Sequence, residues 1–189
     1  MARVETSERK ITILRKGAIS PAAIASNLRL ANADWTVEEL MKYAEATADT
    51  PVTVVNESEP QVAPGQLLRH YAPDVEAYLV PVSRYLKEGD IDLTDGTVVI
   101  DFGASMDWCK GKSQVCGYRD LSVQGSAVEA AKCLFDALRW AETVEGAARI
   151  LLVQCPPFHD DDMGAAVNDR LYRACSGRYV ALNTSREAD

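Results

Sequence analysis

A chain of 189 residues with 47% hydrophobic content is long enough to bury a core and too apolar for wholesale disorder. Lys and Arg total 20 against 28 Asp and Glu, a net charge of −8 with no basic stripe, which argues against a self-sufficient RNA-binding domain. No apolar run approaches the ~18 residues that span a bilayer. The five cysteines, an odd number with no C-x-x-C pair and no apolar leader before them, fit reduced thiols in a cytoplasmic setting.

In chain order, residues 10–14 predict a short strand ending at Arg15-Lys16-Gly17. Ser20 as N-cap, with Pro21 in the first turn where its missing N–H does no harm, predicts a helix over 21–31. Thr36 and Glu39 are spaced as a capping box, and Leu40, Met41 and Ala44 share an apolar face, so a second helix is expected over 36–48. Residues 52–55 are β-prone, and 56–65, rich in Glu, Ser and Pro, read as flexible linker. Up to about residue 72 no core is evident.

Beyond Pro73 strands and helices alternate. Residues 75–80 form an apolar strand, 82–86 a short helix or turn, and 97–103 a strand ending in Asp101 and Gly103. The longest predicted helix covers 127–142, with Ala127, Ala130, Ala131, Leu134, Leu138 and Ala141 in one stripe. Residues 149–155 are almost wholly apolar, the pattern of a strand covered on both faces, and Pro156-Pro157 stops them. A helix over 164–175 ends before Gly177, and 179–182 are a last strand candidate. The expected class is α/β: a three-layer, Rossmann-like open sheet, mainly parallel, with helices on both faces and an irregular linker arm in front. The strands near 75–80, 97–102 and 149–155 should share that sheet.

Few residues suggest chemistry. Asp101, at a strand's carboxyl end before Gly103, is a candidate ligand residue or an ordinary strand-end cap. It opens a D-F-G string, but no other kinase element accompanies it. His159-Asp160-Asp161-Asp162 has the oxygens a hard cation prefers, yet it also reads as a solvated acidic loop before a helix. Gly111-Lys112-Ser113 lacks the earlier glycine of a P-loop, and Lys110 and Lys112 read as solvated surface. No nucleophile–base arrangement and no dinucleotide fingerprint is present. No catalytic residue and no metal site is therefore assigned.

Three stretches in order carry a resemblance. Pro64-Gly65 with Arg69-His70-Tyr71-Ala72-Pro73 comes first; Tyr118-Arg119-Asp120-Leu121-Ser122 with Glu129-Ala130-Ala131, Leu134-Phe135 and Leu138-Arg139 follows; Gly164-Ala165-Ala166-Val167-Asn168-Asp169-Arg170-Leu171 with Arg173-Ala174 closes. Together they resemble the linker and C-terminal domain of the two-domain threonylcarbamoyl-AMP synthases. Ile13-Leu14-Arg15-Lys16-Gly17 is similar to the last strand of that family's YrdC-like catalytic domain, with Lys16 where the family usually has proline. In the linker the aromatic position before the arginine is lost, since Gln66-Leu67-Leu68 stand there.

The resemblance implies three parts: residues 1–19 as the end of a catalytic domain, 20–73 as interdomain linker with short helices, and 74–189 as the Rossmann-like domain. It implies an accessory, regulatory part of an enzyme that makes threonylcarbamoyl-AMP and pyrophosphate from L-threonine, bicarbonate and ATP for tRNA modification. ATP with Mg would be bound by the catalytic domain, present in cis or in trans, and this chain alone would be inactive. Arg69, His70 and Tyr71 would gate the catalytic pocket or contact substrate, or else anchor the domain by packing. Asn168, Asp169 and Arg170 would be structural, with Asp169 or Arg170 tying their helix to a loop and Arg178 exposed. No direct tRNA contact is expected. The alternative is a stand-alone nucleotide- or small-molecule-binding module.

Overall fold

The computed structural model describes residues 1–14, 17, 19–39, 72–81, 86–156 and 162–183, and the chain divides into two units, Met1–Leu67 and Leu68–Asp189. In the first unit, β1 (Ala2–Glu5) and β2 (Lys10–Ile13) form an antiparallel hairpin with Ala2 opposite Ile13 and Glu5 opposite Lys10. α1 (Pro21–Leu30) follows, and the Ser20 side-chain oxygen accepts the Ala23 N–H at 2.9 Å, satisfying one of the free donors of its first turn.

The chain then enters β3 (Thr36–Glu39), which pairs parallel with β2. Here the sequence expectation fails: Thr36 to Glu39 do not open a helix. Thr36 N–H bonds Arg9 C=O at 2.9 Å, Val37 lies opposite Ile11, and Lys10 meets Glu38 at 2.7 Å. Pairing with a neighbouring strand has overridden the local capping signal. The rest of the predicted helix, 40–48, the β-prone run 52–55 and the linker 56–65 lie outside the described residues.

The second unit holds β4 (Ala77–Val80), β5 (Thr97–Asp101), a 3-10 turn (Asp107–Cys109), β6 (Val115–Asp120), α2 (Ala127–Thr143), β7 (Arg149–Val153) and α3 (Asp162–Ala174). The strands run parallel in the order β4-β7-β5-β6, so the expected strands do share one sheet. β5 is buried at every position, as a central strand covered on both faces must be. Ala130, Leu134, Leu138 and Ala141 form the buried face of α2, which packs beside α3 and over β5. Leu86, Ile91, Met106 and Cys109, from the connections on either side of β5, join the same core.

Two features depart from expectation in detail. β6 was not predicted. The segment 179–182 is reduced to a single parallel bridge between Tyr179 and Leu79. The turn into β5 requires glycine at 96, where φ is +77° and a Cβ would stand 2.5 Å from the Gly146 carbonyl oxygen. Among the described residues no helix is long and apolar enough to cross a membrane.

Candidate functional site

In parallel α/β sheets the carboxyl ends of the strands are where ligand crevices open, because helices and loops diverge there. At the end of β5, Asp101 is wholly buried. Its Oδ1 accepts the Phe102 N–H at 2.7 Å; its Oδ2 accepts the Met106 N–H at 2.9 Å and the Tyr118 hydroxyl at 2.5 Å. Burial raises the Asp101 pKa above the ordinary carboxylate value, with Tyr118, Met106 and Phe102 as donors pulling the other way. Each oxygen thus already has a protein donor, and the effect is to fold residues 102–106 back over the strand end.

A second carboxylate does the same from β6. Asp120 Oδ2 accepts the Ala104 N–H and Oδ1 the Ser122 N–H, both at 2.8 Å. Ala104 sits at φ +56°, a strained position for a residue with a Cβ, and its bond to Asp120 helps hold it there. Ser122 continues the chain of contacts: its hydroxyl donates to Glu129 at 2.5 Å and accepts the Ser126 N–H at 2.9 Å. Ser126 caps α2 by accepting the Glu129 N–H.

The outer rim is charged. Asp107 contacts Lys110 in an ion pair and lies 3.1 Å from the Tyr118 hydroxyl, while the Lys110 ammonium lies 4.5 Å from the Tyr118 ring centre. The hydrogen bond from Lys110 pulls the Asp107 pKa down, and the same bond raises that of Lys110. Lys112 pairs with Glu88. The basic residues at 110 and 112 are therefore neutralised by neighbours. The Cys109 thiol, behind this rim, is pushed up to about 11, chiefly by burial.

At the end of β7, Asn168 of α3 clips the backbone. Its Oδ1 accepts the Cys155 N–H and its Nδ2 donates to the Cys155 carbonyl, each at 2.9 Å. The expected loop tie thus comes from Asn168. Asp169 instead pairs with Arg173 within the helix, through bonds of 2.9 and 3.1 Å, and Arg170 donates back to the Ala166 carbonyl. Arg178 is not freely exposed either: it reaches Glu76 at 2.9 Å and the Cys175 carbonyl at 3.3 Å, and covers the Tyr78 ring. Asn168 lies one helical step before the two charged residues on which the eye settles, and a helical wheel without the β7 end gives no reason to prefer it.

Arg69, His70 and Tyr71 lie outside the described residues, as do His159, Asp160 and Asp161. The chain is described again from Ala72, and the Asp74 N–H donates to Glu142 at 2.9 Å, near the end of α2. That contact is on the amino-terminal side of the sheet, opposite Asp101. Among the described residues no group of three or more His, Cys, Asp and Glu side chains could hold a metal ion.

The family model of the threonylcarbamoyl-AMP synthase C-terminal domain matches residues 35–176. The chain belongs to that family. Membership gives it a role as part of threonylcarbamoyl-AMP synthase in tRNA modification, with a YrdC-like catalytic domain as the partner the family suggests. No curated protein and no solved structure matches the chain. The match spans the candidate site and motif residues Arg69, His70, Tyr71, Asp101, Asn168, Asp169 and Arg170.

Proposed function

We propose that this chain is the accessory and regulatory part of an L-threonylcarbamoyladenylate synthase, working in the cytoplasm beside a YrdC-like catalytic domain in cis or in trans. The family match over 35–176 carries this reading. The catalytic partner binds ATP with Mg, L-threonine and bicarbonate and releases pyrophosphate; the chain by itself makes no threonylcarbamoyl-AMP. A carbamoyl adenylate is labile to water, so a pocket that forms it benefits from a cover. The linker residues Arg69, His70 and Tyr71 have the chemistry for that cover: a fork for phosphate or carboxylate, and two groups that hydrogen-bond and stack.

Residues 1–19 stand in this reading as the end of the catalytic domain, on the resemblance of Ile13-Leu14-Arg15-Lys16-Gly17 to its last strand. The competing reading, a stand-alone nucleotide- or small-molecule-binding module, has less support, because both Asp101 oxygens already accept protein donors.

The test is ATP- and threonine-dependent pyrophosphate release. The purified chain should show none, and adding it to a separately purified YrdC-like domain should change that domain's rate. Robust turnover by the chain alone would overturn the proposal, as would a catalytic domain indifferent to its presence.

A further inference from the structure

We propose that Tyr118 is a two-way hydrogen-bond relay between the buried carboxyl of Asp101 and the exposed carboxylate of Asp107, keeping the loop 102–110 closed whichever way its hydroxyl points. The geometry is specific. A phenol carries one hydrogen and can also accept, yet Tyr118 Oη lies 2.5 Å from Asp101 Oδ2 and 3.1 Å from Asp107 Oδ1. Two acceptors compete for one hydrogen.

When Asp101 is ionised, the Tyr118 hydrogen points inward, adding to the Phe102 and Met106 N–H groups already there. When Asp101 takes one proton from solvent on Oδ2, its new O–H donates to Tyr118 Oη. The phenol hydrogen then turns outward to Asp107 Oδ1, which Lys110 holds ionised. One proton is taken up, none is released and no covalent bond to carbon changes. In both states the ring bridges the strand end to the 3-10 turn.

The surroundings suit such a device. Asp101 meets Tyr118 and the negative field of Asp120 from β6, and Cys109, Asp107 and Lys110 from the turn. Glu129 of α2 is engaged by Ser122, and Arg149 of β7 is held at the other end of the sheet by Thr97 and Asp92. No cation touches the Asp101 carboxylate among the hydrogen bonds and ion pairs of the described residues. Burial favours its protonation, so a neighbour able to donate to one form and accept from the other is what the site needs.

Carboxyl-carbon NMR titration of the full chain tests this. Asp107 should show a second inflection at the pH where Asp101 takes its proton, because the two groups share a hydrogen. In Tyr118→Phe that inflection should vanish, and amides 103–110 should exchange several-fold faster. In the exposed variant Asp107→Asn the Asp101 midpoint should move down, since the outward acceptor of the protonated form has lost its charge; this variant serves if Tyr118→Phe does not fold. A single-step Asp107 curve in the parent, an inflection that survives Tyr118→Phe, or an Asp101 midpoint unmoved in Asp107→Asn would each overturn the relay.

Discussion

Asn168 holds Cys155 by both of its backbone polar groups, at 2.9 Å each, so that α3 and the end of β7 are fastened by one side chain. The pairing copies what a neighbouring strand would have offered, two residues past the last ladder position, Val153, and just before Pro156. Asn168→Ala leaves a buried N–H and C=O without this partner. Loss of such bonds costs about 1–3 kcal/mol, and a domain of this size should melt several degrees lower. Calorimetry of the parent and variant checks it, and an unchanged Tm would show that the clip contributes nothing.

The two charged residues beside Asn168 should differ in importance. Arg173 is a buried residue, with its side chain 9% exposed, and Asp169 meets it through two bonds. Asp169→Ala should therefore destabilise by about 2 kcal/mol, because it removes a bidentate partner from a guanidinium with little access to water. Arg170→Ala breaks a contact inside its own helix and should stay within about 1 kcal/mol. Urea melts of the two variants give the order, and the reverse ranking would refute it.

Asp107 supplies a pH dependence whose sign is fixed. Its folded pKa lies below the unfolded value because of Lys110. Its stabilising contribution is thus present above the ordinary carboxylate range and lost as pH falls through the folded pKa. The parent and Asp107→Asn should therefore differ most near neutrality, with the gap closing below about pH 4. Denaturant midpoints measured across that range decide the matter; a gap that widens in acid would contradict it.

Thiol reactivity should divide by burial. Cys116 and Cys133 are exposed, whereas Cys109, Cys155 and Cys175 are buried. Burial also raises the Cys109 and Cys175 pKa values, and the thiolate is the reactive form. Native iodoacetamide labelling followed by mass spectrometry should modify Cys116 and Cys133, with the other three labelled only after unfolding. Early labelling of Cys175 would mean that α3 opens more readily than its packing implies.

Much of the second unit was legible because its signals are strong: β5 carries Val98, Val99 and Ile100 in a row, β7 is apolar after Arg149, and α2 carries buried residues at three-and-four spacing. β6 was missed for a physical reason. It is the last strand in the sheet order, reads Val-Cys-Gly-Tyr-Arg-Asp, and needs Gly117 where a Cβ would press on Trp140 and Val144 at 3.2 Å. Thr36 to Glu39 misled because a cap signal is local and strand pairing is not. At the candidate site, Asp101 stood out by its strand-end position, but Tyr118 and Asp120 acquire meaning only once β5 and β6 lie side by side.

The order β4-β7-β5-β6 also has a consequence for how the domain comes into being during synthesis. β4 is made first in its unit, yet its ladder partner β7 begins at Arg149, and α3 and the bridging Tyr179, which also meet it, come later still. As the chain emerges, β5 and β6 can pair early, while Ala77 to Val80 must wait with their apolar side chains uncovered. The last helix and the residue that bridges to Leu79 close the domain over its own beginning. A nascent chain halted before β7 would present β4 to whatever receives unfinished proteins.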